Sequence, residues 1–388
     1  MIAYEGQRSA SLTAGTGSGV PGPMRATRPS ARGRPEHIPF QPSPKPRLED
    51  RSPEDDHASL LNMLSHAKTR TSLWVAAFLS LSSTWAQSSP PAGALIVRQN
   101  NPGRGEYATI SAAVDALSGL SGEKTIFIYP GRYTGQVKIK YSYPLNVQGY
   151  SDNPTSAASN QVTVQAAVSA AQAGSNVNSA TIGAYSAGIR ISNLNVINSF
   201  GTGRDTQALA LAATGDRQVF KYCTFSSFQD TVEVEGRAYF LGSRIEGATD
   251  FIFGAGSAWF ESVILAVKAS SPAYITAQRN SAGGSTSFVI NNSQVISAGA
   301  AKGSTYLGRP WSENAIVVFQ KCSLSDIINP DGWSVWSRND PHTAHVSFEE
   351  YQNVGAGAST GARKLGTQRS SPASIASVLG SDYNSWAN

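Results

Sequence analysis

The chain has 388 residues, 15% of them charged, with 36 Gly and 20 Pro. That is ample for a large core in one or two domains, and the low charge with many turn formers points to an all-β protein. The formal net charge of +5 comes mostly from the first 70 residues, which hold 10 Lys+Arg against 7 Asp+Glu; no long basic run follows, which argues against a nucleic-acid binder.

Residues 1–62 are rich in Pro, Arg, Ser and Gly without apolar periodicity, and are expected to be disordered. Residues 63–86 have a basic start, an apolar run around Trp74–Leu81 and a small-x-small ending at Thr84-Trp85-Ala86. This pattern describes a secretory signal peptide, and the run is too short to cross a bilayer. A signal belongs at the start of a chain, so translation is expected to begin at Met63, with residues 1–62 an over-extended gene model. Residues 87–93 read as linker and 94–388 as the folded, extracellular domain.

Ala94–Val97 reads as a first strand. Tyr107–Leu117 has apolar residues at helical spacing, with Thr109 or a neighbour as cap. A short helix there would cover the exposed strand edges of an open solenoid end. From residue 191 a six-residue phrase recurs, apolar at its first and last positions. It begins at Ile191, Phe220, Phe240, Phe260, Ile290 and Phe319, with spacings of 29, 20, 20, 30 and 29 residues. Variable insertions around a constant phrase are the mark of a solenoid, here a parallel β-helix. Sandwiches and barrels would show hairpins with tight turns instead.

Cys223 and Cys322 both occupy position four of the phrase. Four coils at ~4.8 Å separate them by ~19 Å, too far for a disulfide, so both are expected to be free and inward-facing. Asn291-Asn292-Ser293 is the one N-glycosylation acceptor after the signal, and it falls in a predicted coil. Ser371–Leu379 reads as a closing helix.

Between Phe220 and Gly254 the repeat is strict. An offset of twenty residues sets Phe220 on Phe240, Phe225 on Ile245 and Asp230 on Asp250. A lone Asp ending a coil commonly bonds the turn backbone. Two in register, in the company of Phe228, Gln229, Phe251 and Phe253, cannot both ionise comfortably, so one pKa should rise while the other stays low. Such a pair supplies an acid beside a nucleophile. Gln229 and Gln207 can offer amide N–H groups to an oxyanion. Arg309 can hold the ionised carboxylate by a bidentate bond, and Trp311 can offer a flat face to a sugar ring.

Other chemistries fit poorly. Gly357–Gly361 matches a nucleophile-elbow pattern, but no histidine follows Ser359. His342, His345 and Asp340 lack further ligands for a metal and read as surface or turn residues.

Four segments together resemble the pectin methylesterases (pectinesterases) secreted by fungi: Gln207–Leu211, Gln229-Asp230-Thr231, Gly247–Gly254 and Leu307-Gly-Arg309-Pro-Trp311. A weaker echo is Glu350–Ala358. The resemblance spans roughly residues 94–387. It implies a right-handed parallel β-helix, no metal or cofactor, and removal of methyl groups from the C6 esters of homogalacturonan with release of methanol. It implies Asp250 as nucleophile, Asp230 as acid and then base, Gln229 and Gln207 as oxyanion donors, Arg309 as the partner of Asp250, and Trp311 and Phe251 as substrate contacts. The methyl-esterified polymer would be the partner, with neither nucleic acid nor membrane involved, and the chain a monomer. One departure stands out: Gly135 occupies the place of a family Glu after Tyr133. The alternatives are a pectin depolymerase, whose Gly-His-Gly and Arg-Ile-Lys motifs are absent here, and a catalytically silent polysaccharide-binding β-helix, which would have no need of both Asp, both Gln and the Arg together.

Overall fold

The computed structural model describes residues 88–203 and 206–387. The expected signal peptide and the segment before it lie outside the described residues. Twenty-six short strands form three sheets of eleven, seven and eight strands. Apart from the first two and the last two, successive strands go to different sheets, and neighbours within each sheet pair in parallel. This is the parallel β-helix that the repeat predicts.

The phrase is in register throughout. Phe220 pairs with Ile191 and Phe240, Phe260 with Phe240 and Ile290, and Phe319 with Ile290. Position six follows, from Val196 through Phe225, Ile245, Leu265 and Val295 to Leu324. Both columns face inward. The rings of Phe220, Phe240 and Phe260 stack at 4.8 and 4.6 Å, with Phe225 edge-on to the first two. Stacking like residues lets a coil of this size fill its interior at crystal-like density. Position three turns the corner between sheets: Asn193, Tyr222, Gly242, Ser262, Asn292 and Lys321 all have positive φ. A single left-handed residue redirects the chain there without interrupting the ladders on either side.

Cys223 and Cys322 are free and fully buried, as their register requires. Burial pushes both thiols up to about 12, so neither forms a thiolate at neutral pH. A thiol reagent is expected to find no reactive group in the native protein and two after denaturation without reductant; finding none in the denatured chain would contradict the register. Asn291 is buried in the strand Phe288–Asn291 and donates to Glu261 at 2.7 Å, while Ser293 donates to the Asn291 carbonyl. A glycan on Asn291 has no room in this packing.

Both ends of the solenoid are closed. At the N-terminal end a helix, Ile110–Asp115, is capped by Thr109, which accepts from the Ala112 N–H. It is shorter than the spacing predicts, because Tyr107 is tied by a β-bridge to Val97. Its apolar face, with Ile110, Ala113 and Val114, joins the main core. At the other end Glu350 pairs with Phe319 in the strand register and so falls into the aromatic column. It is 1% exposed and forms a two-point ion pair with Arg363, at 2.7 and 3.2 Å, supported by Asn353. The closing helix, Ile375–Leu379, packs outside the eleven-stranded sheet through Val378 and Leu379 against Trp259, Val289 and Val318.

Candidate active site

The site lies on the outer side of the seven-stranded sheet. Its strands Leu211–Ala213, Val232–Val234 and Ile252–Gly254 pair with Leu211 on Val232 and Val232 on Ile252. Asp230 and Asp250 stand two residues before the last two, in one column on adjacent coils. Just ahead, bridges align Gln207 with Gln229 and Gln229 with Thr249. The backbone ladder thus brings Gln207, Gln229, Asp230 and Asp250 together, as their spacing predicts. Both Asp residues adopt positive φ, 62° and 48°, a conformation that costs energy in a non-glycine residue and tends to persist at functional sites.

The two carboxyls are buried, with 7% and 5% exposure, but are held differently. Arg309 donates from Nε to Asp250 Oδ1 at 2.8 Å and from Nη2 to Oδ2 at 2.6 Å. Among the described residues Asp230 accepts one side-chain bond, from the neutral amide of Asn176 at 2.9 Å. Burial drives the Asp230 carboxyl well above the ordinary range, and the charges of Asp250 and Glu233 drive it further. Burial also raises Asp250, and Arg309 pulls it back. The sequence reading left the second carboxyl low. Its desolvation outweighs the ion pair, so both rise, and Asp230 rises more.

Arg309 is itself clamped between the rings of Tyr274 and Trp336, at 4.2 and 4.3 Å from their centres, and donates to the Trp336 carbonyl. His342 stacks flat on Trp336 and bonds Asp340. The histidine read as a surface residue therefore backs the ring that backs Arg309. Among the described residues no group of His, Cys, Asp or Glu side chains converges as a metal site.

Gln229 accepts from the Thr206 N–H through its amide oxygen, which turns its NH₂ group toward the remaining space. The Gln207 side chain makes no hydrogen bond among the described residues. Trp311 is half-buried, edge-on to Phe253 at 5.8 Å and under the Arg279 guanidinium at 4.5 Å. Phe251 corrects the sequence reading. It is 0% exposed and part of the main core, so it offers no surface to a ligand. Asp250 takes the left-handed corner, the next side chain turns inward, and the outward aromatic is Phe253. Gly135 lies in the column of the Asp pair, three coils earlier by register. A side chain there would meet open space, so the missing carboxylate leaves the packing undisturbed.

Sequence reasoning missed Asn176, Tyr274 and Trp336. Asn176 begins the short helix Asn176–Ser179, inside an insertion with no counterpart in neighbouring coils. Tyr274 had a usable signal: it pairs with Tyr306 one coil on, and their rings stack at 5.6 Å.

The Pectinesterase family model matches residues 95–370. A probable pectinesterase A of Neosartorya fischeri is 40% identical over 305 residues, covering 77% of this chain and 90% of its own. The crystal structure of the Aspergillus niger pectin methylesterase superposes with a TM-score of 0.73 at 34% identity, covering 78% of this chain and 99% of its own. A pectin methylesterase solved in complex with a hexasaccharide superposes at 0.65 with 25% identity, covering 75% and 98%. The protein is therefore a carboxylic ester hydrolase built on a parallel β-helix. Within that class, the chain belongs to the pectinesterase family.

Proposed function

We propose that the enzyme is secreted, with cleavage after Ala86, and removes methyl esters from the C6 carboxyls of homogalacturonan through an acyl-enzyme. The observation that carries this reading is the unequal treatment of the two carboxyls: Arg309 grips Asp250, while Asp230 is buried beside it with a neutral partner. An anion and an acid then face the same ester.

Asp250 attacks the ester carbonyl carbon, and the C=O electrons move to oxygen, where the Gln207 and Gln229 amides stabilise the oxyanion. As the tetrahedral intermediate collapses, the C–OCH₃ bond breaks and Asp230 gives its proton to the departing oxygen, so methanol leaves. An anhydride now joins Asp250 to the sugar. Asp230, now a carboxylate, takes a proton from water; the hydroxide adds to the sugar carbonyl, and Asp250 leaves as a carboxylate held by Arg309. Trp311, half-buried and backed by the buried Phe253, offers the aromatic face against which a sugar ring would lie.

Protein recovered from the medium of an expressing host should begin at Gln87 and release methanol from highly methylated pectin without shortening the polymer. Shortening without methanol would move it to the depolymerases. Neither product from a well-folded sample would favour the silent binder. Recovery of residues 1–62 in the mature protein would overturn the proposed start.

A further inference from the structure

The catalytic scheme leaves one carboxyl unused. Glu233 sits in the strand Val232–Val234, whose other two residues face the core. By alternation Glu233 points to the outer face, where it pairs in register with Ala212 on one side and Phe253 on the other. Phe253 is the ring packed against Trp311, so Glu233 stands one coil along from the aromatic wall. It is three residues beyond Asp230, roughly 10 Å along the strand. A polymer lying along this strand direction would set a neighbouring unit beside it.

Glu233 is 6% exposed, yet its Oε2 is buried without a hydrogen-bond partner and its Oε1 accepts none among the described residues. A buried polar group left unpaired in the free protein is costly; since Oε2 is shut off from the surface, what exposure the side chain keeps leaves only the rest of the carboxyl to meet a ligand. Among the described residues the surrounding charges supply no partner. Glu235 stands at the end of the same strand and Asp230 before its start. Tyr185, just past the strand Ile182–Ala184 two coils away, is pushed up by burial and in part by the Glu233 charge. Asp250 is committed to Arg309, and Arg279, whose charge only partly offsets the rise, lies 3.6 Å from Glu235 and over Trp311. Burial first, then Glu235, pushes the Glu233 carboxyl up to about 8. Below that pH it is a neutral acid whose proton has no acceptor among the described residues.

We propose that Glu233 is a specificity-determining residue that donates a hydrogen bond to the free carboxylate of a galacturonate unit next to the ester being cleaved, so that the cleft accepts de-esterified neighbours while Glu233 holds its proton and rejects them once it has lost it. An acid–carboxylate hydrogen bond is charge-assisted and stronger than one to a neutral ester oxygen. Deprotonation removes the donor and sets two anions against each other. At neutral pH the enzyme would favour working beside units it has already processed, and in alkaline solution it would favour fully methylated stretches.

This inference rests on the proposed pectin substrate and is tested separately from it. Methanol release by the wild-type enzyme at pH 7 reports the function; binding of unesterified hexagalacturonate, whose own charge is constant from pH 7 to 9, reports Glu233. Calorimetry is expected to show wild-type affinity falling by up to about tenfold over that range, the limit set by the loss of the protonated form, while Glu233→Gln, which keeps a donor at every pH, should lose most of that fall. A wild-type affinity that does not change with pH, or a fall of the same size in Glu233→Gln, overturns the proposal. A second measurement needs no variant: the titration of Glu233, followed by carbon-13 NMR, should move to higher pH when hexagalacturonate is bound, and an unmoved midpoint is equally fatal.

Discussion

Asp250→Asn is expected to lower methanol release by roughly four to six orders of magnitude, the range seen when single members of a hydrolase's catalytic set are removed. Two effects combine. The amide oxygen is a far weaker nucleophile than a carboxylate, and the Arg309 guanidinium, aligned by Tyr274 and Trp336 for a bidentate anion, is left facing a neutral group. The loss should appear in kcat with little change in KM, because the sugar-facing ring of Trp311 is untouched. Far-UV circular dichroism and the melting curve would separate lost chemistry from lost structure. Retention of even one hundredth of wild-type activity in a folded Asp250→Asn would remove this residue from the nucleophile's role.

The second large effect lies far from the cleft. Arg363→Ala should destabilise the fold by roughly 3–5 kcal/mol, because it strands Glu350 as an uncompensated charge inside the aromatic column. Both partners of this pair are almost fully buried, unlike the exposed pairs elsewhere on the surface. Replacing both, as Glu350→Leu with Arg363→Met, should recover most of the loss, since a well-packed apolar pair escapes the desolvation cost. Chemical denaturation of the three variants checks this. A single variant as stable as wild type would show that water reaches Glu350.

Much of this molecule is legible in its sequence because a β-helix repeats its hydrogen-bonding pattern at every coil. The phrase beginning at Ile191 predicts strand register residue by residue, including the separation of the two cysteines and the pairing of Asp230 with Asp250. Arg309 follows from the chemistry, since an ionised buried carboxylate needs a partner. What the sequence hides is whatever leaves the repeat. Asn176 reaches Asp230 from an insertion whose path depends on its own two short helices. Trp336 comes from a loop beyond the last full coil and is placed by His342 and Asp340. Phe251 was misplaced because strand alternation does not hold across a left-handed corner; Ile252, in column with Val232, would have shown that Phe253 is the outward ring.

The coils that carry the two carboxylates are among the shortest of the described residues, twenty residues apart with no insertion between them. Their separation is therefore a lattice constant of the backbone, ~4.8 Å, held by hydrogen bonds that every side chain leaves intact. Loops of other coils can lengthen, shorten or change sequence without altering the distance from acid to nucleophile. The chemistry and the surface that selects the polymer are in this sense separate modules, so specificity can drift in evolution while the reacting pair stays in place.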